Sequence, residues 1–136
     1  MNPIRVLIAD DHSLVRAGFC ALLSDFADIT IVAQASNGSE ALRQVAKFQP
    51  DVALLDIAMP ELNGLDVAAY THNKFQKVKT IILSMHANEE YVLRAVQSGA
   101  KGYLLKDTNP AELELAIRTV ARGEMYYSPV ISKTVI

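Results

Sequence analysis

The sequence predicts an α/β fold, a doubly wound, five-stranded parallel sheet of order 2-1-3-4-5. Three observations predict it. Short apolar runs alternate with segments of helical period along 136 residues, a length suited to one domain. Three of those runs, Val6 to Ala9, Val52 to Leu55 and Ile81 to Leu83, are continuously apolar, as strands covered on both faces are. Parallel neighbours need right-handed crossovers, and with five strands 2-1-3-4-5 is the favoured order.

The elements follow in order. Ile4 to Ala9 reads as the first strand, and Val15, Phe19 and Leu22 mark the helix after it. Ile29 to Ala33 is the second strand. Ala41, Leu42, Val45 and Ala46 form the next helical stripe, behind Asn37 and Glu40 at capping-box spacing. Val52 to Leu55 is the third strand. After Gly64, Leu65, Ala68 and Ala69 fit a helix, whereas Tyr70 to Lys77 is polar enough to read as loop. Thr80 to Leu83 is the fourth strand. Val92, Leu93 and Val96 mark a fourth helix behind Asn88, Glu89 and Glu90, with Gly99 ending it. Gly102 to Leu105 is the fifth strand. The last helix has Asn109 as N-cap, Pro110 at its first position and Glu112 in its first turn. Its core face is Leu113, Ala116, Ile117 and Val120, and Gly123 stops it.

Composition narrows the function. Hydrophobic residues are 51% and charged residues 21%, which suits a packed domain and excludes disorder. No apolar run approaches the ~20 residues of a membrane span, and no basic and apolar leader opens the chain. The lone Cys20 makes no internal disulfide and reads as a small packing residue. A cytoplasmic location is expected, with no membrane partner. A net charge of −2 argues against nucleic-acid binding by this chain alone.

Open sheets of this kind bind ligands beyond the carboxyl ends of their strands. Polar groups suited to phosphoryl chemistry stand at those ends: Asp10 and Asp11, Asp56, Ser84, and Lys106. The blander reading of Asp10 and Asp11 is helix capping. However, strands 1 and 3 are neighbours in the expected order, so Asp56 stands beside the pair. Crowded carboxylates repel unless a cation intervenes. Mg²⁺ suits one or two carboxylates plus waters and a phosphate. No His or Cys cluster competes, which makes zinc a poor candidate. A carboxylate can form an aspartyl-phosphate, and Asp56, on the central strand, is positioned for it. Lys106 is a fixed cation for a phosphoryl oxygen or else a solvated strand end. Ser84 is a hydroxyl donor or else a loop serine.

Four pieces of text, Ala9-Asp10-Asp11-His12, Asp56 through Gly64, Ile82-Leu83-Ser84 and Gly99 through Asp107, stand in order at four strand ends. Over residues 4 to about 122 the chain resembles the receiver domain of bacterial two-component response regulators, which has the flavodoxin-like (βα)5 fold. Leu104-Leu105-Lys106-Asp107 and Ala121-Arg122-Gly123-Glu124 look most like its NarL/FixJ (LuxR-type) subfamily. The resemblance implies a phosphoacceptor, not an enzyme, with at most slow self-phosphorylation from small phosphodonors and autodephosphorylation. It implies that Asp56 accepts the phosphoryl group from a sensor histidine kinase. Asp11, Asp56 and the backbone carbonyl of Ala58 would bind Mg²⁺, with Asp10 acting through water. Ser84 and Lys106 would hold the phosphoryl group, and Tyr103 would be the switch aromatic, turning inward as Ser84 moves. Phosphorylation would alter the surface of the fourth helix, fifth strand and fifth helix, with homodimerisation as one outcome.

Two departures stand out. Asp107 follows Lys106 where many receivers have proline, and Ser84 replaces the commoner threonine. Ala58 and His86 lie two residues beyond Asp56 and Ser84, at the rim, where they could tune dephosphorylation; for His86 the bland alternative is an exposed loop histidine. Residues 1–122 are expected to be the receiver. Residues 123–136 read as the start of a linker to a helix-turn-helix domain outside this sequence, so DNA would be bound only through that domain. Three other readings compete. A haloacid-dehalogenase-type phosphatase would space its two aspartates one residue apart, whereas Asp10 and Asp11 are adjacent. A flavodoxin-like cofactor binder would want a Gly, Ser or Thr loop after the first strand. A receiver used only as an inert interaction module would not need Asp10, Asp11, Asp56, Ser84 and Lys106 together.

Overall fold

The computed structural model describes residues 2–86 and 88–128. Five β–α units run in chain order: β1 (Ile4–Ala9), α1 (Ser13–Leu23), β2 (Ile29–Ala35), α2 (Gly38–Phe48), β3 (Val52–Asp56), α3 (Gly64–Lys74), β4 (Lys79–Ser84), α4 (Glu89–Gln97), β5 (Gly102–Leu105) and α5 (Pro110–Ala121). A short strand, β6 (Tyr126–Tyr127), follows. The sheet order is β2-β1-β3-β4-β5-β6, all parallel, so the expected order holds and gains one two-residue edge strand. That strand lies in the segment read from sequence as the start of a linker; residues 129–136 of that segment lie outside the described residues.

Strand alternation divides the core. Leu7, Ala9, Ala53, Leu55, Ile82 and Tyr103 face the side covered by α2, α3 and α4. Val6, Ile8, Leu54, Ile81, Leu83 and Leu104 face α1 and α5. The central strands are apolar on both faces because both faces are covered. Each fully buried aliphatic side chain contributes about 1.5–3 kcal/mol. Cys20 is half-buried against the α1/α5 side, as a packing residue would be, and burial pushes its thiol up.

The helix boundaries follow their caps. Asn37, Asn63 and Asn109 each accept a hydrogen bond from the backbone N–H three residues on, at 2.7, 2.9 and 2.7 Å. Asn88 precedes α4 without such a bond. Gly99 and Gly123 end α4 and α5 with φ of +83° and +90°, where a side chain would be strained. The third helix runs on to Lys74, into the polar stretch that read as loop. Its inward face is Leu65, Val67, Ala68 and Thr71, and the polar residues between them simply face solvent. No helix among the described residues is long and apolar enough to cross a membrane.

The register brings the strand ends level. Ala9 pairs with Leu55, Asp56 with Leu83, and Ser84 with Leu105. Asp10, Asp56, Ser84 and Lys106 therefore leave the sheet side by side. The N-terminus of α3 presses on this edge. A Cβ on Gly64 would lie 2.3 Å from the Asp56 carbonyl oxygen, a backbone atom that cannot turn aside. Gly64→Ala is expected to destabilise the domain by about 1–3 kcal/mol through overpacking. Urea unfolding monitored by circular dichroism measures this.

Candidate functional site

Lys106 stands at the centre of the site. Its Nζ lies 3.1 Å from Asp10 Oδ2 and 3.0 Å from Asp56 Oδ2, with all three side chains nine-tenths or more buried. The backbone fixes this arrangement. Asp10 N–H donates to Ala35 O, Ile57 N–H to Leu83 O and Lys106 N–H to Ser84 O, at 3.0, 3.1 and 2.8 Å. The turn after Lys106, where Asp107 stands, is closed by Thr108 N–H donating to Leu105 O at 3.0 Å. Arg16 reaches across from α1, its Nη1 donating to the Asp10 carbonyl at 2.6 Å.

Burial pushes the Asp56 carboxyl above the ordinary aspartate value, with the Asp10 charge adding to it and the Lys106 bond opposing it. Burial alone would push the Lys106 ammonium down, but its bonds to Asp56 and Asp10 outweigh that and hold it above the ordinary lysine value. One ammonium thus serves two buried carboxylates. Among the described residues, Lys106 is the polar partner of both buried oxygens, Asp10 Oδ2 and Asp56 Oδ2. Asp11, exposed at the rim, adds a third acid. Oxygen donors crowded on one side of a single ammonium suit a hard divalent cation. Asp10, Asp11, His12 and Asp56 each offer a ligand atom within 4.8 Å of the others.

A cleft of about 200 Å³ opens over this group, lined by His12, Asp56, Ala58, Ser84, His86, Tyr91 and Lys106 among others. Ala58 N–H donates to Asp56 Oδ1 at 3.3 Å. Ser84 Oγ accepts the His86 N–H at 3.0 Å. His86 is exposed at the rim, its ring stacked on Tyr91 with centroids 6.3 Å apart. Tyr103 points inward, fully buried, its hydroxyl donating to the His86 carbonyl at 2.8 Å. Every residue singled out from the sequence therefore borders the cleft or touches a residue that does. Two residues were not singled out. His12 turns its ring onto Asp10 and Asp11, at 3.2 and 3.0 Å. Tyr127 stacks on Tyr103, with centroids 6.3 Å apart. The motif text contained His12, but nothing in its spacing gave the ring a direction.

An acidic pocket opposite a lysine, at the carboxyl edge of a 2-1-3-4-5 sheet, defines a class of protein. Residues 6–118 match the response regulator receiver domain, and the chain belongs to that family. Receiver domains are phosphoacceptor modules of two-component signalling and are typically not enzymes. The phosphatase and flavin-binding readings fall with that membership. The relatives place the chain further, within the NarL/FixJ subfamily. It is 39% identical over 134 residues to the oxygen regulatory protein NreC of Staphylococcus aureus, covering 98% of this chain and 62% of that protein. The NarL signal receiver domain of Mycobacterium tuberculosis superposes with a TM-score of 0.88 at 35% identity, covering 91% of this chain and 100% of that one. A LuxR-family two-component response regulator from Aurantimonas sp. SI85-9A1 superposes with a TM-score of 0.92 at 29% identity, over 98% and 96% of the two chains. The chain thus spans about 62% of the length of the curated relatives it matches.

Removing one partner of a buried charge cluster leaves the rest uncompensated. Lys106→Met is expected to destabilise the metal-free domain by about 3 kcal/mol at neutral pH. Asp56→Asn in the same chain should restore part of that loss. Because the folded Asp56 carboxyl sits above its unfolded value, its charge costs stability at neutral pH, and the cost fades as pH falls through the folded value. Urea titrations of the single and double variants at pH 7 and pH 5 measure both effects.

Proposed function

We propose that Asp56 is the phosphoacceptor of this receiver and that a sensor histidine kinase is its donor. One observation carries the reading: the buried Asp56 Oδ2 lies 3.0 Å from the Lys106 ammonium at the floor of an open cleft. An Asp56 oxygen attacks the phosphorus of the kinase phosphohistidine. The new bond is O–P; the N–P bond breaks, and its electron pair stays on the histidine nitrogen. Lys106 exchanges part of its carboxylate contact for a phosphoryl oxygen, and Ser84 Oγ–H donates to another. Asp11, Asp56 and the Ala58 carbonyl would hold Mg²⁺, with Asp10 linked through water; the ion supplies charge neutralisation at the transferring phosphoryl group. A small phosphodonor such as acetyl phosphate reacts slowly with Asp56 by O–P cleavage that releases its carboxylate, and water slowly hydrolyses the acyl phosphate to inorganic phosphate.

Ser84 Oγ now accepts the His86 N–H, and Tyr103 holds the His86 carbonyl. Drawing Ser84 toward a phosphoryl oxygen frees His86 N–H and shifts the population toward a second arrangement of this loop. The altered face spans α4, β5 and α5, and pairing of two copies is one consequence. We take residues 1–122 as the receiver, and residues 123–136 as leading, past β6, toward a C-terminal helix-turn-helix domain. The greater length of the curated relatives supports that reading. DNA is then bound by that domain, under control of this one, in the cytoplasm. His86 at the rim tunes how water reaches the acyl phosphate.

Intact mass after incubation with acetyl phosphate and Mg²⁺ tests the central claim. A gain of about 80 Da is expected in the wild type and not in Asp56→Asn; a gain that persists in the variant would move the acceptor elsewhere. His86→Ala is expected to change the lifetime of the phosphorylated form several-fold, read by following that mass peak over time. An unchanged lifetime makes His86 a bystander.

A further inference from the structure

We propose that a cavity at the opposite pole of the sheet is a binding site for a small phosphate-bearing anion. The cavity has a volume of about 330 Å³ and is lined by His72, Gln76, Lys79, Thr80, Gly99 and Lys101 among others, within the size range of small-ligand pockets. It lies where α3 leads into β4 and α4 into β5, at the amino ends of the strands whose carboxyl ends lead to Ser84 and Lys106. Thr80 and Ser84 stand about 13 Å apart along β4, so this site is separate from the acidic cleft. Each polar side chain of the lining can donate a hydrogen bond, and none is a carboxylate. Lys79 Nζ donates to the Lys77 carbonyl at 3.1 Å, and neither Lys79 nor Lys101 forms an ion pair with a described residue. In a chain of net charge −2, two half-buried ammonium groups without an acid between them are a local reversal of sign.

The C-termini of α3 and α4 point at this pole, where cations commonly face helix ends. Here the helix-end carbonyls already have partners. Thr71 O accepts from Phe75 N–H, Arg94 O from Ser98 N–H, Val96 O from Gly99 N–H and Ala95 O from Ala100 N–H, at 2.7, 2.9, 3.1 and 3.1 Å. The nearby acid Asp51 is engaged on the β1 side, where its Oδ2 accepts the Arg5 N–H at 2.8 Å. Both lysines are therefore left to the cavity. Thr80 is an independent observation. It is only 3% exposed and lines the cavity, yet its hydroxyl bonds no described residue. A hydroxyl so deeply placed normally has a partner, and the cavity is the space it borders. Gly99 shapes the wall: at φ +83°, its Cβ would lie 2.4 Å from His72 Cγ. The imidazole thus packs on the glycine backbone, and a side chain there would push it aside. Lysine binds phosphate as a point charge, and a cleft lined by one sign of charge concentrates the opposite ion. The volume leaves room for more than a phosphate group, so free phosphate and a small phosphate monoester are two sources of the same chemistry.

The test is NMR of the isotope-labelled full chain, titrated with inorganic phosphate or with glycerol 3-phosphate. EDTA is present to keep divalent ions from the acidic cleft, and sodium chloride at matched ionic strength is the control. Saturable shifts are expected at the amides of Thr80, Gly99 and Lys101 and at the His72 ring, with Asp11 and Asp56 unmoved. The tighter probe identifies the source. Binding is expected to weaken at least about fivefold when Lys79→Gln and Lys101→Gln are combined, and about two- to tenfold in Thr80→Val, which keeps the shape and removes the hydroxyl. Circular dichroism checks that each variant is folded, and the wild-type shift map stands without them. Shifts that chloride reproduces, that map to the acidic cleft, or that persist unchanged in the double-lysine variant would overturn the inference. The absence of any saturable shift with both probes would overturn it as well.

Discussion

The contact of one lysine with two buried carboxylates constrains everything around it. At an effective dielectric of ~20, unit charges 4 Å apart attract by about 4 kcal/mol. Taking each ion out of water costs several kcal/mol. A single buried pair would roughly break even. Lys106 meets two acids, Asp10 and Asp56, at 3.1 and 3.0 Å. That is enough to hold the ammonium above its ordinary value in spite of burial, but not enough to bring Asp56 down to an ordinary one. The cluster is stable and still short of positive charge, the electrostatic condition for a pocket that must receive a cation and a phosphoryl group.

The sheet supplies that contact. Asp10, Asp56 and Lys106 are far apart in the chain and meet because β1, β3, β4 and β5 are parallel, adjacent in the needed order, and in level register. This part was legible in the sequence. Continuous apolar runs said which strands were central, and the residue after each run said what stood at its end. The caps were legible for the same reason: Asn37 and Asn109 announce helices by local chemistry that needs no tertiary partner.

What was not legible depends on contacts across the chain. The polar end of α3 reads as loop because its buried side is thin there, with Thr71 the one inward residue beyond Ala68. The strand β6 has only two residues and no apolar run. It exists because the open edge of β5 offers Gly102 and Tyr103 as pairing partners. His12 presents the same difficulty on a smaller scale. Its place beside two aspartates is plain in the text, but only the folded turn shows its ring directed at them instead of at the helix it precedes.

The position of Tyr103 ties the site to that edge. Strand alternation puts its ring in the α4-side core, and its hydroxyl needs an acceptor there, because an unpaired buried hydroxyl costs about 1–3 kcal/mol. The His86 carbonyl is that acceptor, on the loop whose N–H is held by Ser84. Tyr127 packs against the other side of the ring and anchors its own hydroxyl on the Ala100 carbonyl at 3.0 Å. A group in the cleft that draws Ser84 Oγ away therefore removes one of the two bonds fixing His86. The other bond runs straight to Tyr103. If His86 moves, Tyr103 must follow it or lose its acceptor, and Tyr127 of β6 is stacked on the ring that would move. Packed aromatic rings have discrete positions, not a continuum of them. A group that displaced Ser84 Oγ would therefore bear on Tyr103 and, through its ring, on the strand where the chain leaves the sheet.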